Sequence, residues 1–97
     1  MEKGYLLGQI TISDKSQYKI YDSKIGKVIE RFGGKYLVKG GLRIVKEGNP
    51  SFQRDVLVEF KDVKTAQRFF SSQQFKEISK FRKAGSNGVL LLLNGKE

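Results

Sequence analysis

The pattern of apolar and polar positions divides the chain into short strands and two helical regions. Apolar and β-branched residues from Tyr5 to Ser13 predict a first strand. Asp14 has the residue type of a helix N-cap, and the apolar positions after it recur at three- and four-residue spacing, as on the buried side of an amphipathic helix. Those positions are Tyr18, Tyr21, Ile25, Val28, Ile29 and Phe32.

Two glycine pairs bracket the next strand. Gly33 follows the last apolar position of the helix, where a glycine in the left-handed region commonly ends a helix. Gly40 and Gly41 interrupt an alternating pattern that runs from Lys35 to Lys46. The sequence therefore predicts a second strand over residues 35–46, with a bulge or bend at the second glycine pair.

The second half of the chain predicts a hairpin, a helix and a final strand. The turn residues Gly48-Asn49-Pro50-Ser51 precede an alternating strand from Arg54 to Phe60. Asp62 is placed to cap the second helical region, and Ser72 is placed to cap it again after an interruption. The continuous apolar run from Val89 to Leu93 predicts a last strand at the centre of the sheet.

The resulting order is β-α-β-β-α-β, which predicts an α+β, ferredoxin-like fold in a single domain over residues 1–97. Such a fold has a four-stranded antiparallel sheet with two helices on one face. Here the strands carry large apolar residues on both sides, so the face away from the helices also requires a cover. We therefore predict a homodimer in which two sheets meet face to face, a dimeric α+β barrel.

The composition excludes several kinds of catalytic and metal site but does not indicate a particular reaction. The chain contains no histidine and no cysteine, so the commonest metal ligands and bases are missing, and no cofactor or metal is predicted. The formal charge of +9 attracts phosphate in principle, but lysine outnumbers arginine 14 to 5 and the cations are spread along the chain. A solvated surface is favoured over a nucleic-acid face. The sequence has no membrane span or signal-peptide core, and we expect a cytoplasmic protein.

Several polar and aromatic residues are candidates for holding a ligand between the helices and the sheet. A phenol can donate to an oxyanion, an arginine can clamp a carboxylate, and a partly desolvated glutamate can act as a base. The candidates are Tyr18, Tyr36, Arg54, Glu59 and Arg82. No catalytic residue is assigned.

Structural roles compete with each of these interpretations. Core packing is favoured for Tyr18, and a salt bridge is favoured for Arg54 and for Glu59. Arg54 and Glu59 also lie on opposite faces of their strand by parity, which argues against one shared site. Arg82 near a helix end most simply complements the helix dipole.

The residues in order along nearly the whole chain resemble the bacterial domain-of-unknown-function family 1330, of the dimeric α+β barrel superfamily. The resemblance is carried by Gly4-Tyr5, Asp14, Tyr18, Tyr21, Phe32-Gly33-Gly34-Lys35-Tyr36-Leu37, Gly40-Gly41, Glu47-Gly48, Arg54, Glu59-Phe60, Ser72, Phe75 and Arg82. Two departures are Lys39, where such proteins commonly have an arginine, and Lys61-Asp62 in place of a typical Pro-Ser. Lysine at position 39 offers a point charge instead of a planar fork for an anion.

The resemblance implies a dimeric barrel without a settled activity, and an enzyme only by analogy with monooxygenases, isomerases and haem-handling relatives. We expect an uncharacterised homodimer that binds or converts a small anionic or aromatic metabolite between helices and sheet. One alternative is a non-catalytic interaction or regulatory module. A second alternative, a nucleic-acid binder, is disfavoured because the third strand has Val56 and Leu57 where base-stacking aromatic residues are needed.

Overall fold

The computed structural model describes residues 2–96, which form a four-stranded antiparallel sheet with three helices. The strands lie in the order β2-β3-β1-β4. The predicted α+β, ferredoxin-like class is confirmed. In chain order the elements are β1 (Gly4–Ile12), α1 (Lys15–Arg31), β2 (Lys35–Lys39), β3 (Arg54–Phe60), α2 (Val63–Phe70), α3 (Gln73–Gly85) and β4 (Ser86–Asn94).

The ends of α1 follow the sequence signals. The Asp14 carboxylate accepts hydrogen bonds from the backbone N–H groups of Ser16 and Gln17. At the other end Gly33 has a φ of 74°, and the N–H groups of Gly33 and Gly34 donate to carbonyls of the last helical turn. This pairing is a Schellman ending, which turns the chain directly into β2.

The second helical region is two helices, as the serine pair indicated. Ser72 accepts a hydrogen bond from the N–H of Phe75 and donates to the carbonyl of Phe69, so it caps α3 while it closes α2. Phe69 is fully buried, and its ring lies 5.3 Å from the ring of Phe60 and 4.9 Å from that of Phe75, measured between centroids. Because of the break at Ser71 and Ser72, α2 and α3 both pack against the same aromatic cluster.

The prediction that the last strand is central is wrong. Within residues 2–96, β4 lies at an edge of the sheet and pairs only with β1. Its continuous apolar run has a different cause: Leu90 and Leu92 pack against the core, while Val89, Leu91 and Leu93 on the other side are 40–45% exposed. The apolar run therefore reflects apolar residues on both faces of an edge strand, one face packed on the core and the other left uncovered by the helices.

The predicted second strand is too long. β2 ends at Lys39 after a register shift between Tyr36 and Val38, and the chain bends at Gly40 and Gly41, whose φ angles are 67° and 86°. Two successive residues in the left-handed region turn the chain out of the ladder, so the apolar pattern beyond them does not resume as a strand. We refer to residues 40–53, which join β2 to β3, as the arm.

The sheet has an inner face, packed against the helices, and an outer face, which the helices do not cover. Paired strand residues share a face, so the register places Leu7, Leu57 and Leu91 together at the middle of the outer face. The whole domain measures 36 × 35 × 17 Å, a thin slab with one broad side uncovered. No helix among residues 2–96 is long and apolar enough to cross a membrane.

Candidate ligand-binding cavity

A small cavity lies between the inner face of the sheet and α1. Its volume is about 30 Å³, which is room for about one or two water molecules. The base is apolar, and the polar side chains collect at one side. The polar lining residues are Tyr18, Tyr21, Asp22, Tyr36, Lys39, Arg54 and Arg82.

Arg54 enters the cavity from the start of β3. Its guanidinium carbon lies 5.9 Å from the centre of the Tyr18 ring, within the range of a cation–π contact. On another side the guanidinium lies against the backbone of Gly40, where the side chain of any other residue would overlap it. The absence of a Cβ at position 40 therefore makes the space that Arg54 occupies.

Arg82 enters the same cavity from the last turn of α3. Its guanidinium carbon lies 5.8 Å from the ring centre of Tyr21 and 5.3 Å from that of Phe75. Tyr18 and Tyr21 are themselves in contact, with ring centres 5.6 Å apart. The two arginines thus flank a pair of tyrosine rings that contact each other at an interplanar angle of 50° on consecutive turns of α1.

Both arginines have an incompletely satisfied guanidinium. The Nε atoms of Arg54 and Arg82 are buried, and neither has a hydrogen-bond partner among residues 2–96. Arg54 and Arg82 are also without an ion pair within that range, so the salt bridge that the sequence favours for Arg54 is not found there. A buried charged donor without an acceptor is unfavourable by about 1–3 kcal/mol or more. The cavity therefore presents positive charge that an anionic oxygen would stabilise.

Burial keeps the cavity phenols protonated. It raises the pKa of Tyr18, although the Arg54 guanidinium beside it acts in the opposite direction. Burial also raises the pKa of Tyr21, and it raises the pKa of Tyr36 to about 12. All three hydroxyls are therefore hydrogen-bond donors at neutral and mildly alkaline pH, and none serves as a base there.

Three polar lining residues, Tyr21, Asp22 and Lys39, were not among the sequence candidates. The carboxylate of Asp22 lies 3.7 Å from the ammonium of Lys39, and the same ammonium lies 4.9 Å from the ring centre of Tyr36. Asp22 follows Tyr21 on the edge of the apolar stripe of α1, which was the one sequence signal that could have identified it. It is the only carboxylate among the lining residues.

The structure brings four of the five sequence candidates together and separates the fifth. Tyr18, Tyr36, Arg54 and Arg82 line the cavity. Glu59 lies on the outer face, where it accepts a hydrogen bond of 3.4 Å from the hydroxyl of Tyr5. This separation agrees with the parity of Arg54 and Glu59 along β3. No ion pair of Glu59 is found among residues 2–96, so the favoured salt bridge is not seen for it either.

The comparison with protein families decides where the chain belongs. The family described as "Domain of unknown function (DUF1330)" matches residues 3–96. The chain belongs to this family. No protein of curated function matches it in sequence.

Solved structures similar to this DUF1330 protein share its fold. A protein of unknown function from Rhodopseudomonas palustris is 18% identical, with a TM-score of 0.80 over 99% of this chain and 84% of that one. SnoaB, a cofactor-independent oxygenase from Streptomyces nogalater, is 11% identical, with a TM-score of 0.56 over 100% and 96%. A dimeric, ferredoxin-like protein of unknown function from Bacteroides fragilis is 8% identical, with a TM-score of 0.58 over 98% and 96%.

The raised tyrosine pKa values predict a loss of stability in alkali. In the unfolded chain Tyr36 ionises near 10, while in the folded protein its pKa is about 12. The stabilisation of the folded state that comes from this difference in pKa is fully present below pH 10 and declines as the pH rises from 10 through 12. We expect the free energy of unfolding to fall less steeply over this range in Tyr36→Phe than in the wild type, as measured by urea denaturation. If the free energy of unfolding falls equally steeply with pH in the two proteins, Tyr36 does not have a raised pKa in the folded state.

Proposed function

We propose that this DUF1330 protein binds a small molecule with an anionic oxygen group on an apolar or aromatic body, in the cavity between the helices and the sheet. The observation that carries the proposal is the pair of buried Nε atoms on Arg54 and Arg82, which have no hydrogen-bond partner within residues 2–96. An oxyanion accepts readily from guanidinium and phenol donors. The apolar base of the cavity, which includes Leu6 and Val58, suits the rest of such a molecule.

The present volume of the cavity requires the walls to move when a metabolite enters. About 30 Å³ holds water but not an organic acid. The apolar base is formed by buried residues, whereas Arg54 and Arg82 are half-buried and Lys39 is exposed. Movement of these three long cationic side chains would open the cavity without disturbing the core.

The lining groups favour binding over proton abstraction. The raised pKa values of the three tyrosines make them donors. Conversion of the bound molecule is the second candidate function, because guanidinium and phenol donors that converge on one cavity also stabilise an oxyanion formed during a reaction. Asp22 would then be the group that accepts a proton. SnoaB, described as a cofactor-independent oxygenase, shares the fold at 11% identity and lends this second candidate an analogy only.

We further propose that two copies associate through their outer faces. Val89, Leu91 and Leu93 of β4 are each 40–45% exposed there, and Leu91 pairs with Leu7, which in turn pairs with Leu57 of β3. A similar fold from Bacteroides fragilis is described as dimeric, which supports the same arrangement here.

The binding proposal predicts a preference for anions that depends on both arginines. We expect benzoate to raise the melting temperature in a thermal-shift assay, and benzamide, which has nearly the same shape without the charge, to leave it unchanged. Acetate tests the same carboxylate contact without the aromatic ring. Loss of one charge-assisted contact corresponds to about 10- to 100-fold weaker binding, which we expect for Arg54→Met and for Arg82→Met.

Arg31→Met provides the matched control, because it removes one positive charge from an exposed position at the end of α1, away from the cavity. Its affinity for benzoate should equal that of the wild type. Equal weakening in all three variants would mean that benzoate responds only to net charge. Stabilisation by neither benzoate nor acetate would refute the proposal.

The dimer proposal is tested by sedimentation velocity at micromolar concentration. We expect a species of twice the 11.0 kDa of one chain. Leu91→Lys places a charge at the middle of the outer face and should yield monomers, whereas Gln67→Lys on the exposed side of α2 should not. A stable wild-type monomer would contradict the proposal.

A further inference from the structure

The arm, residues 40–53, carries the most exposed apolar side chains of the described chain. Leu42 is 90% exposed, Ile44 is 70% exposed and Val45 is 50% exposed. The arm contains no helix or strand, so most of its backbone N–H and C=O groups lack ladder partners. Backbone groups without ladder partners, with exposed apolar side chains beside them, are features through which one chain adds to, or covers, the sheet of another.

The arm is nevertheless fixed to the outer face at its base. The Arg43 guanidinium forms two hydrogen bonds with the Asp55 carboxylate, at 2.7 and 2.8 Å, and a third with the carbonyl of Phe52. The far end of the arm is held by the N–H of Gln53, which donates to the carbonyl of Ile10. An arm held at its base, with its apolar side chains turned to solvent, is arranged to contact another molecule.

The base of the arm also touches the cavity. Gly40, its first residue, donates its N–H to the backbone carbonyl of Asp55 at 2.8 Å, and its backbone lies against the Arg54 guanidinium. Lys39, directly before it, lines the cavity and pairs with Asp22. Asp55 and Arg54 are neighbours on β3 that face opposite sides of the sheet. The arm on the outer side is thus linked to the cation on the inner side through two adjacent residues.

We propose that a second copy of this chain covers the arm, and that this contact holds Gly40 and Arg54 in the position that binds an anion. The inference rests on the proposed ligand-binding function and adds that the site depends on assembly. A second copy is the partner because the arm adjoins the apolar outer face and is anchored on it at Asp55. One isologous interface would cover the outer face and both arms together.

The first experiment separates assembly from the cavity. Leu42→Glu combined with Ile44→Glu changes two side chains that do not line the cavity. Gln67→Glu combined with Gln74→Glu makes the same change in charge on the exposed helix side. We expect the arm variant to sediment as a monomer and to bind benzoate at least 10-fold more weakly than the wild type. The helix-side variant should keep the wild-type mass and affinity.

The second experiment tests the contact between the arm and Arg54. Gly40→Ala and Gly41→Ala both place a side chain on backbone with positive φ, but only the Cβ at position 40 meets Arg54, while that at position 41 meets nothing within 4 Å. We expect Gly40→Ala to displace the guanidinium and weaken benzoate binding about 10-fold in a protein that still dimerises. Gly41→Ala should bind benzoate nearly as the wild type does.

The outcomes distinguish this inference from the proposals on which it rests. A monomeric arm variant with wild-type affinity, or equal effects of the two alanines, would overturn the coupling and leave the ligand site standing. A dimeric arm variant would overturn the role of the arm. If the wild type binds no benzoate, the ligand site and the coupling are both refuted. Sedimentation of the arm variant still shows whether the arm belongs to the interface between two copies. Should the arm variant be unfolded by circular dichroism, Arg43→Gln replaces it; wild-type benzoate affinity there would overturn the coupling.

Discussion

Two guanidinium groups held beneath α1 impose the constraint on which the rest of the site depends. Desolvating a cation is unfavourable unless an acceptor or a π face replaces the lost water. Arg54 and Arg82 each have aromatic rings nearby, yet the Nε of each lacks an acceptor among residues 2–96. The aromatic stripe of α1 therefore does more than fill the core, because Tyr18 and Tyr21 provide the surfaces on which both cations rest. An acceptor for these two Nε–H groups is therefore what the described residues do not supply.

Strand β3 connects the Arg54 guanidinium on the inner side of the sheet to the outer side of the molecule. Its residues alternate between the faces, so Arg54 reaches the cavity while Asp55 binds Arg43 of the arm. The glycine at position 40 lies where the two meet, since its N–H bonds to Asp55 and its missing side chain leaves room for Arg54. Through these contacts Gly40 joins the arm on the outer side of the sheet to Arg54 on the inner side.

The sequence was informative where local chemistry decides the structure. The caps at Asp14 and Ser72, the helix end at Gly33 and the bounds of β3 all follow from residue type and spacing. Helical periodicity also placed Tyr18 on the buried stripe of α1, and strand parity put Arg54 and Glu59 on opposite faces of β3.

Sequence reasoning failed where long-range packing decides. The edge position of β4 was not predictable, because a strand with two apolar faces has the same sequence pattern at the edge of a sheet as at its centre. The sequence pattern predicts that β2 continues into the arm, because Leu42 and Ile44 keep the strand alternation, whereas the positive φ angles at Gly40 and Gly41 turn the chain away. The pairing of Asp22 with Lys39 depends on the approach of β2 to α1, which no local pattern reports.

The central claim is that Arg54 and Arg82 are the two side chains that receive an anion. Nitrogen-15 NMR of the arginine Nε–H groups tests it directly, because the chain has five arginines and Arg43, already bound to Asp55, serves as an internal reference. Addition of benzoate should shift the signals that disappear in Arg54→Met and Arg82→Met, and leave the signal of Arg43 in place. Shifts confined to the exposed Arg31 and Arg68, or no shift at all, would contradict the account.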